Sequence, residues 1–454
     1  MLLGDEGPDG WGIKYAREFD MTNDSKLFPP RPKWEERGYK PDEYGRWIGP
    51  DGDVALPLYE GRMVGQFDFS QKGWVSGKGR GAKWHDIPWE KKVVEPQYLV
   101  EHEAYLQRAN NETRVVFRGL KIGVMAIGSS TNMRSLIAGI ADDKPFGNSV
   151  ISLHLTHHAN LKLAFLAVIN SLAFDFTFRA RLGGINVNQF VLKEAPCLPP
   201  TNAVVSSLVP LSARLSLVSK QMAHHSMRHR EHFPRDWPWQ KAWAVTPFDR
   251  EAVTAAIEAL CWCAFEFSWD DAIHMCQQCD FSEESFAAES VKATLDPKGF
   301  WRVDKSLPPE LRHTVLSLVA FHDLQAMIAS HNNDRDKGIT AFCTQNNGEG
   351  WMLPSQLRLS DYGLGHDDRA REYQPVAEKF GPRFYDWQLA QSPEESWAEC
   401  ERHARNILGE EGFARLLAEI ERAKTGEKTP VVNEPVASYD KKSGLVDGEQ
   451  MRLL

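Results

Sequence analysis

Residues 148–184 read NSVISLHLTHHANLKLAFLAVINSLAFDFTFRARLGG, and this stretch holds both patterns that decide the fold class. Residues 148–155 are rich in β-branched and apolar side chains, which predicts a strand. Residues 160–182 have apolar side chains at three- and four-residue spacing, which predicts one helix with Asn160 as its N-cap. The Gly-Gly pair that follows is typical of a helix end, since glycine readily adopts the left-handed conformation found there.

The same two patterns continue on either side of this stretch. Upstream, residues 114–129, RVVFRGLKIGVMAIGS, alternate β-branched and apolar residues between glycines, which predicts strands. Downstream, PCLPP at 196–200 marks a boundary, because proline interrupts regular structure. Residues 205–330 then have helical periodicity. We therefore predict a mixed α/β domain followed by a mostly helical C-terminal region.

The chain is 454 residues long, which is too long for one compact core and predicts several domains. Ser392 and Glu395 have the spacing of a helix-capping box near the C-terminal end. The predicted segments are an extended proline-rich segment (1–55), an α/β domain (56–200), a helical domain (201–330), an aromatic and helical extension (331–425) and a disordered tail (426–454).

Charge and hydropathy exclude some classes of protein. With 53 basic and 62 acidic residues the net charge is −9, which argues against nucleic-acid binding over the whole surface. A local basic groove remains compatible with this charge, because salt screens charges beyond about 10 Å. The sequence has no run of about 18 apolar residues and no N-terminal signal-peptide pattern. Seven irregularly spaced cysteines fit a reducing compartment, so we predict a cytoplasmic protein without a membrane partner.

A local concentration of positive charge lies in residues 72–92, KGWVSGKGRGAKWHDIPWEKK. Its GKGRG segment lacks the spacing of a phosphate-binding P-loop. A flexible basic loop that contacts a nucleic-acid backbone is one interpretation, and a solvated surface loop is the other.

Two cysteine pairs and one histidine cluster have the appearance of metal sites. CWC (261–263) and CQQC (276–279) lie in helical patterns, where Cys261 and Cys263 point in opposite directions. We therefore favour buried structural cysteines over zinc ligands. LHLTHH (153–158) is interpreted as a surface histidine cluster, and no metal ligand is predicted.

Catalytic motifs are absent from the sequence. An amino-methyltransferase needs an Asn/Asp-Pro-Pro-aromatic tetrapeptide, and this tetrapeptide does not occur here. Neither a nucleophile elbow nor a Walker loop occurs. Asp86, Glu90 and Lys92 loosely match the acidic and lysine residues of a magnesium-dependent nuclease. We keep that activity only as an alternative.

Three further stretches carry a resemblance to a known family. They are LPLYEGRMVGQFDF (56–69), VFRGLKIGVMAIGSSTNMRSLIAGI (116–140) and INSLAFDFTFRARLGGINVNQFVLKEAPCLPP (169–200). In this order they resemble the C-terminal half of N6-adenine DNA methyltransferases of type IIG restriction–modification and DISARM-like phage-defence systems. The resemblance implies that residues 56–200 form a target-recognition domain that reads double-stranded DNA. It also implies that residues 1–55 lead out of a methyltransferase domain.

The catalytic half of that family is missing from this chain. The resemblance therefore implies that a methyltransferase domain or subunit is the protein partner. That partner would bind S-adenosylmethionine, and we expect no cofactor in this chain. Methylation is expected of the intact protein or complex, and no catalytic residue is predicted here.

The predicted DNA contacts are chosen by residue type. Lysines and arginines suit phosphates, forked arginines also suit guanine, asparagines suit adenine, and glycines allow close backbone approach. The predicted residues are Lys72, Lys78, Arg80, Lys83, Arg118, Thr131, Asn132, Arg134, Arg179, Arg181, Gly183, Gly184, Asn186 and Asn188. A non-catalytic structural or regulatory subunit of a defence complex is the other alternative to DNA recognition.

Overall fold

The computed structural model describes residues 1–7, 9–110 and 116–425. The predicted tail at 426–454 lies outside these residues. The strands are β1 Ile13–Ala16, β2 Lys40–Pro41, β3 Trp47–Ile48, β4 Val54–Pro57, β5 Lys72–Ser76, β6 Lys83–Asp86, β7 Leu99–Glu101, β8 Leu120–Met125, β9 Ala138–Asp142, β10 Val150–Leu155, β11 Gln356–Leu357 and β12 Gln374–Pro375.

Helices dominate the second half of the chain, and short 3-10 turns connect many of them. The helices are α1 Arg31–Glu36, α2 His102–Ala109, α3 Lys162–Asn170, α4 Leu172–Arg179, α5 Gln189–Lys193, α6 Ala203–Ser216, α7 Ala223–Arg228, α8 Pro247–Ala264, α9 Trp269–Met275, α10 Glu283–Ala287, α11 Glu289–Lys292, α12 His313–Ser330, α13 Arg335–Gly348, α14 Ala377–Phe380 and α15 Pro393–Thr425. The prediction of a mixed α/β part followed by a helical part is confirmed.

The central sheet has the strand order β1-β10-β8-β9, and every neighbouring pair is antiparallel. Strand β1 comes from the segment that we predicted to be extended, and it forms one edge of this sheet. A second antiparallel sheet, β2-β3-β4-β7, takes two more strands from the same segment. Residues 1–55 are therefore built into the fold, because their strands need the later part of the chain as hydrogen-bonding partners.

The predicted helix over residues 160–182 is wrong in one respect, because it is two helices. Ser171 has extended backbone angles, and its hydroxyl accepts a hydrogen bond from the Phe174 N–H at 3.2 Å, which makes it the N-cap of α4. Glu258 accepts from the Leu172 N–H at 2.8 Å. A serine side chain can hydrogen-bond to nearby backbone groups in place of the helical hydrogen bonds, which interrupts a helix. The residue before α3 is Leu161, so the predicted Asn160 cap is also wrong.

One continuous apolar core runs from the central sheet through α3, α6, α8 and α12. Helix α3 is buried along its whole length, since it lies between the sheet and α6. Burial on this scale is the main favourable term in folding. The core therefore joins the predicted α/β and helical domains without a polar layer between them.

Helix α15 packs on α7 through a separate apolar cluster that includes Trp397, Cys400, Ala223 and Trp239. The predicted capping box before this helix is confirmed: the Glu395 N–H donates to the serine hydroxyl of Ser392 at 3.3 Å, and the Ser392 N–H donates to the Glu395 carboxylate at 3.0 Å. Within the described ranges, every helix is too short or too polar to cross a membrane.

Candidate nucleic-acid interface

The basic stretch forms a hairpin of β5 and β6, with Trp74 opposite Trp84. The turn depends on Gly77, whose φ is +79° and whose added Cβ would lie 2.6 Å from the Gly81 carbonyl oxygen. The Gly77 carbonyl accepts hydrogen bonds from the Trp74 indole at 3.0 Å and the Gln97 amide at 3.1 Å. Glycine is required at this position because other residues rarely adopt such a φ.

The hairpin tip carries the cations that the sequence singled out. Lys78, Arg80 and Lys83 are exposed, and none of them has an ion-pair partner in the part of the chain that the structure describes. Lys72 differs, because its ammonium lies 2.9 Å from the Asp86 carboxylate. Three cations without carboxylate partners are available to an external anion, and one is partly neutralised.

The loop between β8 and β9, residues 126–137, exposes Thr131 and Asn132 at its tip. Ser129 shapes the tip, because its carbonyl accepts from the Asn132 N–H at 3.0 Å and its hydroxyl accepts from the Thr131 N–H at 3.2 Å. Arg302 supports the tip from below by donating to the Thr131 carbonyl at 2.7 Å. The tip is therefore a fixed turn and presents its side chains to solvent.

Arg179 lies behind this loop and is buried. Its guanidinium donates to Asp175 Oδ1 at 2.6 and 2.9 Å, to the Met133 carbonyl at 3.1 Å and to the Lys298 carbonyl at 2.5 Å. It also stacks over the Phe300 ring at 4.1 Å. Its donors are used within the fold, so it holds the loop in place and does not reach a ligand.

Arg134 and Arg118 are used in the same way. Arg134 donates to the Asn170 carbonyl at the end of α3. Arg118 forms a two-pronged ion pair with the buried Asp143 carboxylate, at 2.6 and 2.7 Å. These distances are typical of strong charge-assisted hydrogen bonds. The three predicted arginines of this group therefore position backbone and carboxylates inside the chain.

Residues 180–188 form the second exposed loop. Of the predicted DNA contacts in this loop, Arg181, Gly183, Gly184 and Asn186 are exposed, whereas Asn188 is half-buried and precedes α5. The two glycines have no left-handed φ, and a Cβ on either would meet no other atom within 4 Å. They do not end the helix, because α4 ends at Arg179. The glycines leave open space beside the chain.

Backbone hydrogen bonds hold the two loops together. The Gly128 N–H donates to the Ile185 carbonyl at 2.9 Å, and the Val187 N–H donates to the Ala126 carbonyl at 3.0 Å. The loops therefore form one surface, which we name the paired-loop face (residues 126–134 and 181–190).

Arg62 links the hairpin to this face, and the sequence analysis did not single it out. It is exposed, and its guanidinium donates to the Ala82 carbonyl of the hairpin at 3.4 Å. Next to it, the Gly61 N–H donates to the Ser149 hydroxyl at 3.0 Å, and the Ser149 carbonyl accepts from Ala126 at 3.0 Å. This chain of contacts places the hairpin and the paired-loop face at the same end of the central sheet.

Glu60 lies beside Arg62 and has an unusual environment. Burial raises its pKa to about 7, although the Arg62 cation opposes the shift. One of its carboxylate oxygens is buried and has no hydrogen-bond partner within the described part of the chain. Near neutral pH, Glu60 therefore exists partly in the uncharged form, which lessens the negative charge next to the basic hairpin.

Large apolar side chains stand exposed on the paired-loop face, and the sequence analysis missed them. Phe190 is 62% exposed and Ile185 is 61% exposed, and Ile127 and Met133 are also exposed. Several large exposed apolar side chains on one surface are typical of interaction sites. Only the structure reveals it, because the loop pairing that gathers these side chains is not visible in sequence spacing.

The residues of the nuclease alternative do not converge. Asp86 pairs with Lys72, and Glu90 accepts from the Tyr385 hydroxyl at 2.9 Å. The Lys92 side chain is 2% exposed, and its ammonium donates to Asp68 at 2.7 Å. Burial lowers the Lys92 pKa, and the Asp68 carboxylate opposes that shift. Each of the three side chains thus has a separate partner.

The cysteines do not form a metal site among the described residues. Cys261, Cys276 and Cys279 are buried, and burial raises the pKa of each thiol. In the same residues, the only group of three metal-ligating side chains is Asp142 with His224 and His225, which the sequence analysis did not identify.

Comparison with protein-family models, with curated proteins and with solved structures found no match to this chain.

Proposed function

We propose that this chain recognises the DNA sequence for an N6-adenine-specific DNA methyltransferase of a restriction–modification or phage-defence system. The observation that carries the proposal is the hairpin with three unpaired cations beside the paired-loop face. Phosphate contacts supply affinity and orientation, and contacts to base edges supply specificity. A basic hairpin next to exposed polar loop residues combines both requirements.

The residues divide into two roles under this proposal. Lys78, Arg80 and Lys83 contact phosphates, and Arg62 joins them. Asn132, Arg181 and Asn186 face the base edges, since asparagine pairs with adenine and arginine with guanine. The buried arginines behind the loop are positioning residues, which hold the loop backbone at a fixed distance from the central sheet.

S-adenosylmethionine enters through the partner half of the enzyme. This sequence lacks the tetrapeptide that would hold a target amine, so the chain's own contribution is to bind and orient the duplex. A methyltransferase that acts on a base extrudes that base from the stack. The exposed apolar residues of the paired-loop face are suited to contact the disturbed stack, as apolar wedges do in other DNA-binding proteins.

The test is the salt dependence of duplex DNA binding by the full chain. Replacing Lys78, Arg80 and Lys83 with alanine should make the negative slope of log K against log salt shallower by about 2.7, since each lost phosphate contact contributes about 0.9 to its magnitude. The control replaces three exposed cations of the helical region that pair with nearby carboxylates, Lys337, Arg402 and Lys424, and should leave the slope unchanged. Equal slopes for the hairpin variant and the wild type would refute the proposal.

A second measurement tests base reading in the complex with the catalytic half. Asn132→Ala and Asn186→Ala should relax the sequence preference of methylation at single positions while the salt slope stays constant. If both variants keep the wild-type preference, the paired-loop face does not read bases.

The exposed apolar side chains also favour a second candidate, a structural or regulatory subunit that binds protein through this face. Such an association would be insensitive to salt. Ile185→Asp and Phe190→Asp would abolish it, and the hairpin alanines would leave it intact. The hairpin alanines therefore distinguish the two candidates, because they weaken DNA binding and leave the protein association intact.

A further inference from the structure

The cluster of Asp142, His224 and His225 lies at the end of β9 that is opposite the β8–β9 loop. Asp142 is the last residue of β9, and the two histidines are on the first turn of α7. His225 Nε2 lies 2.9 Å from Asp142 Oδ1, and His224 Nε2 lies 3.4 Å from Asp142 Oδ2. All three side chains are buried, and their possible ligand atoms lie within 4.8 Å of one another.

His224 is the unusual member of the cluster. Its exposed fraction is 0%, its Nδ1 has no hydrogen-bond partner among the described residues, and its Nε2 has only a long contact to the Asp142 carboxylate. At 3.4 Å this contact is longer than an ordinary N–H···O hydrogen bond. A buried polar group left without a partner costs about 1–3 kcal/mol. A fold that retains this histidine therefore points to a group that the chain itself does not supply.

We propose that Asp142, His224 and His225 bind a divalent transition-metal ion, and that the ion is zinc. Two imidazoles and one carboxylate are a donor set that zinc accepts, with bonds of about 2.0–2.2 Å. Tetrahedral ligands at that bond length lie about 3.4 Å apart, which is the separation already present between His224 and Asp142. Magnesium and calcium prefer oxygen ligands only, so they suit this cluster poorly.

Three protein ligands leave the fourth position of a tetrahedral site to water, and the bound ion would link two parts of the fold. Asp142 belongs to the edge strand of the central sheet, and His224 and His225 belong to α7, the helix on which α15 packs. Binding at the three ligands therefore joins the sheet to the C-terminal helices. A group that binds only the folded chain stabilises it by mass action.

Two neighbouring cations, Arg228 and Lys144, disfavour the binding of a positive ion at this cluster. Arg228 donates to His225 Nδ1 at 3.2 Å, so His225 now carries its proton on Nε2, facing Asp142. Zinc at Nε2 requires that proton to be on Nδ1, and Arg228 must then turn away. Arg228 keeps an acceptor when it does so, because Glu419 lies 3.1 Å from its guanidinium. Lys144, buried two residues after Asp142, is the second cation.

The arrangement around Arg228 gives a variant that should improve binding. Arg228→Gln removes the competing donor and offers a carbonyl oxygen that can accept the Nδ1–H of His225. Such an outer partner changes metal affinity by about 10–100-fold in other sites. We therefore expect Arg228→Gln to bind zinc about tenfold more tightly than the wild type.

The experiment uses the full chain, stripped with a chelator and then dialysed against zinc. Wild type should take up about one ion per chain at this site and unfold at a higher temperature with increasing zinc. The protein loaded with cobalt in place of zinc should show the visible absorption of a cobalt ion that is bound by imidazole nitrogen. His224→Leu should lose the ion yet stay folded without zinc, because a leucine of similar size removes the unsatisfied nitrogens.

His157→Gln is the matched control, since His157 is an exposed histidine of the LHLTHH cluster. It should bind zinc as the wild type does. The proposal is overturned if the stripped wild type takes up no more zinc than His224→Leu, or if uptake depends on His157 instead. Circular dichroism of each variant separates loss of the ion from loss of the fold.

Discussion

The β5–β6 hairpin and the arginine cluster behind the β8–β9 loop both carry positive charge, but the hairpin cations are exposed and those of the cluster are largely buried. On the hairpin, Lys78, Arg80 and Lys83 are exposed and have no ion-pair partner among the residues that the structure describes. Behind the loop, Arg134 and Arg179 are desolvated and donate to carbonyls and to Asp175. Exposed cations are available to a ligand at little cost, whereas buried ones define the shape of the chain. The difference teaches that the cations available to bind a ligand and the cations that fix the loop conformation are separate residues in this protein.

The strongest test of this comparison is Arg179→Ala. It leaves the Asp175 carboxylate buried without its main cation, and breaking a buried ion pair costs about 3–5 kcal/mol. Arg181→Ala, two residues later on the exposed loop, should change the free energy of unfolding by less than about 0.5 kcal/mol. Urea denaturation of both variants measures the contrast, and similar costs would break the comparison.

A half-buried histidine in the helical region extends the comparison to pH. Burial by itself lowers the pKa of His313, but Glu251 at 2.8 Å and Glu258 at 3.7 Å outweigh it and raise the pKa to about 10. Because the folded-state pKa lies above the unfolded value of about 6.5, the stabilisation is complete below pH 6.5 and is lost as pH rises towards 10.

His313→Gln should therefore cost about 1.5–3 kcal/mol near pH 6 and much less near pH 10. The measurement is the free energy of unfolding across that range, with exposed His157→Gln as the control. A cost that stays constant with pH would show that the charge on His313 does not contribute.

Two glycines, Gly77 in the hairpin and Gly184 on the paired-loop face, allow the same comparison for backbone conformation. Gly77→Ala in the hairpin should cost about 1–3 kcal/mol, because it forces a left-handed φ and a clash with the Gly81 carbonyl. Gly184→Ala on the paired-loop face should be neutral or stabilising by a few tenths of a kcal/mol, since its Cβ meets open space. Thermal unfolding of the two variants distinguishes a shaped turn from an unconstrained loop.

The smallest effect on stability is expected for the hairpin cations. Lys78→Ala, Arg80→Ala and Lys83→Ala should each change the free energy of unfolding by less than about 0.5 kcal/mol, because they have no ion-pair partner to lose. A larger loss in urea denaturation would mean that the hairpin uses these side chains to fold.

Local patterns predicted a strand over residues 148–155, where β10 covers Val150–Leu155, and the helices of the second half, because periodicity reports burial directly. The interruption at Ser171 was not predictable, since it depends on Glu258 from a distant helix. For the candidate site, exposure of the hairpin cations followed from their glycine-rich surroundings.

The fate of the arginines was harder to predict. Asp175 precedes Arg179 by one helical turn, so the sequence spacing indicated an ion pair between them. Choosing DNA contacts by residue type alone overlooked this spacing. Arg118 meets Asp143 only after β8 and β9 pair, and Asp142 meets His224 only after α7 packs on the sheet. Contacts of this kind arise from tertiary structure, which sequence spacing does not encode. The DNA-binding role of the exposed residues stays a prediction.

The loop behind which Arg179 lies has one more property. Arg302 and Arg179 hold it through the carbonyl oxygens of Thr131 and Met133. Every amino acid has a backbone carbonyl, so these hydrogen bonds do not depend on which side chains occupy the tip of the loop. Residues 131–133 are consequently free to diverge, and a new set of tip residues would inherit a scaffold that already presents them in one fixed conformation.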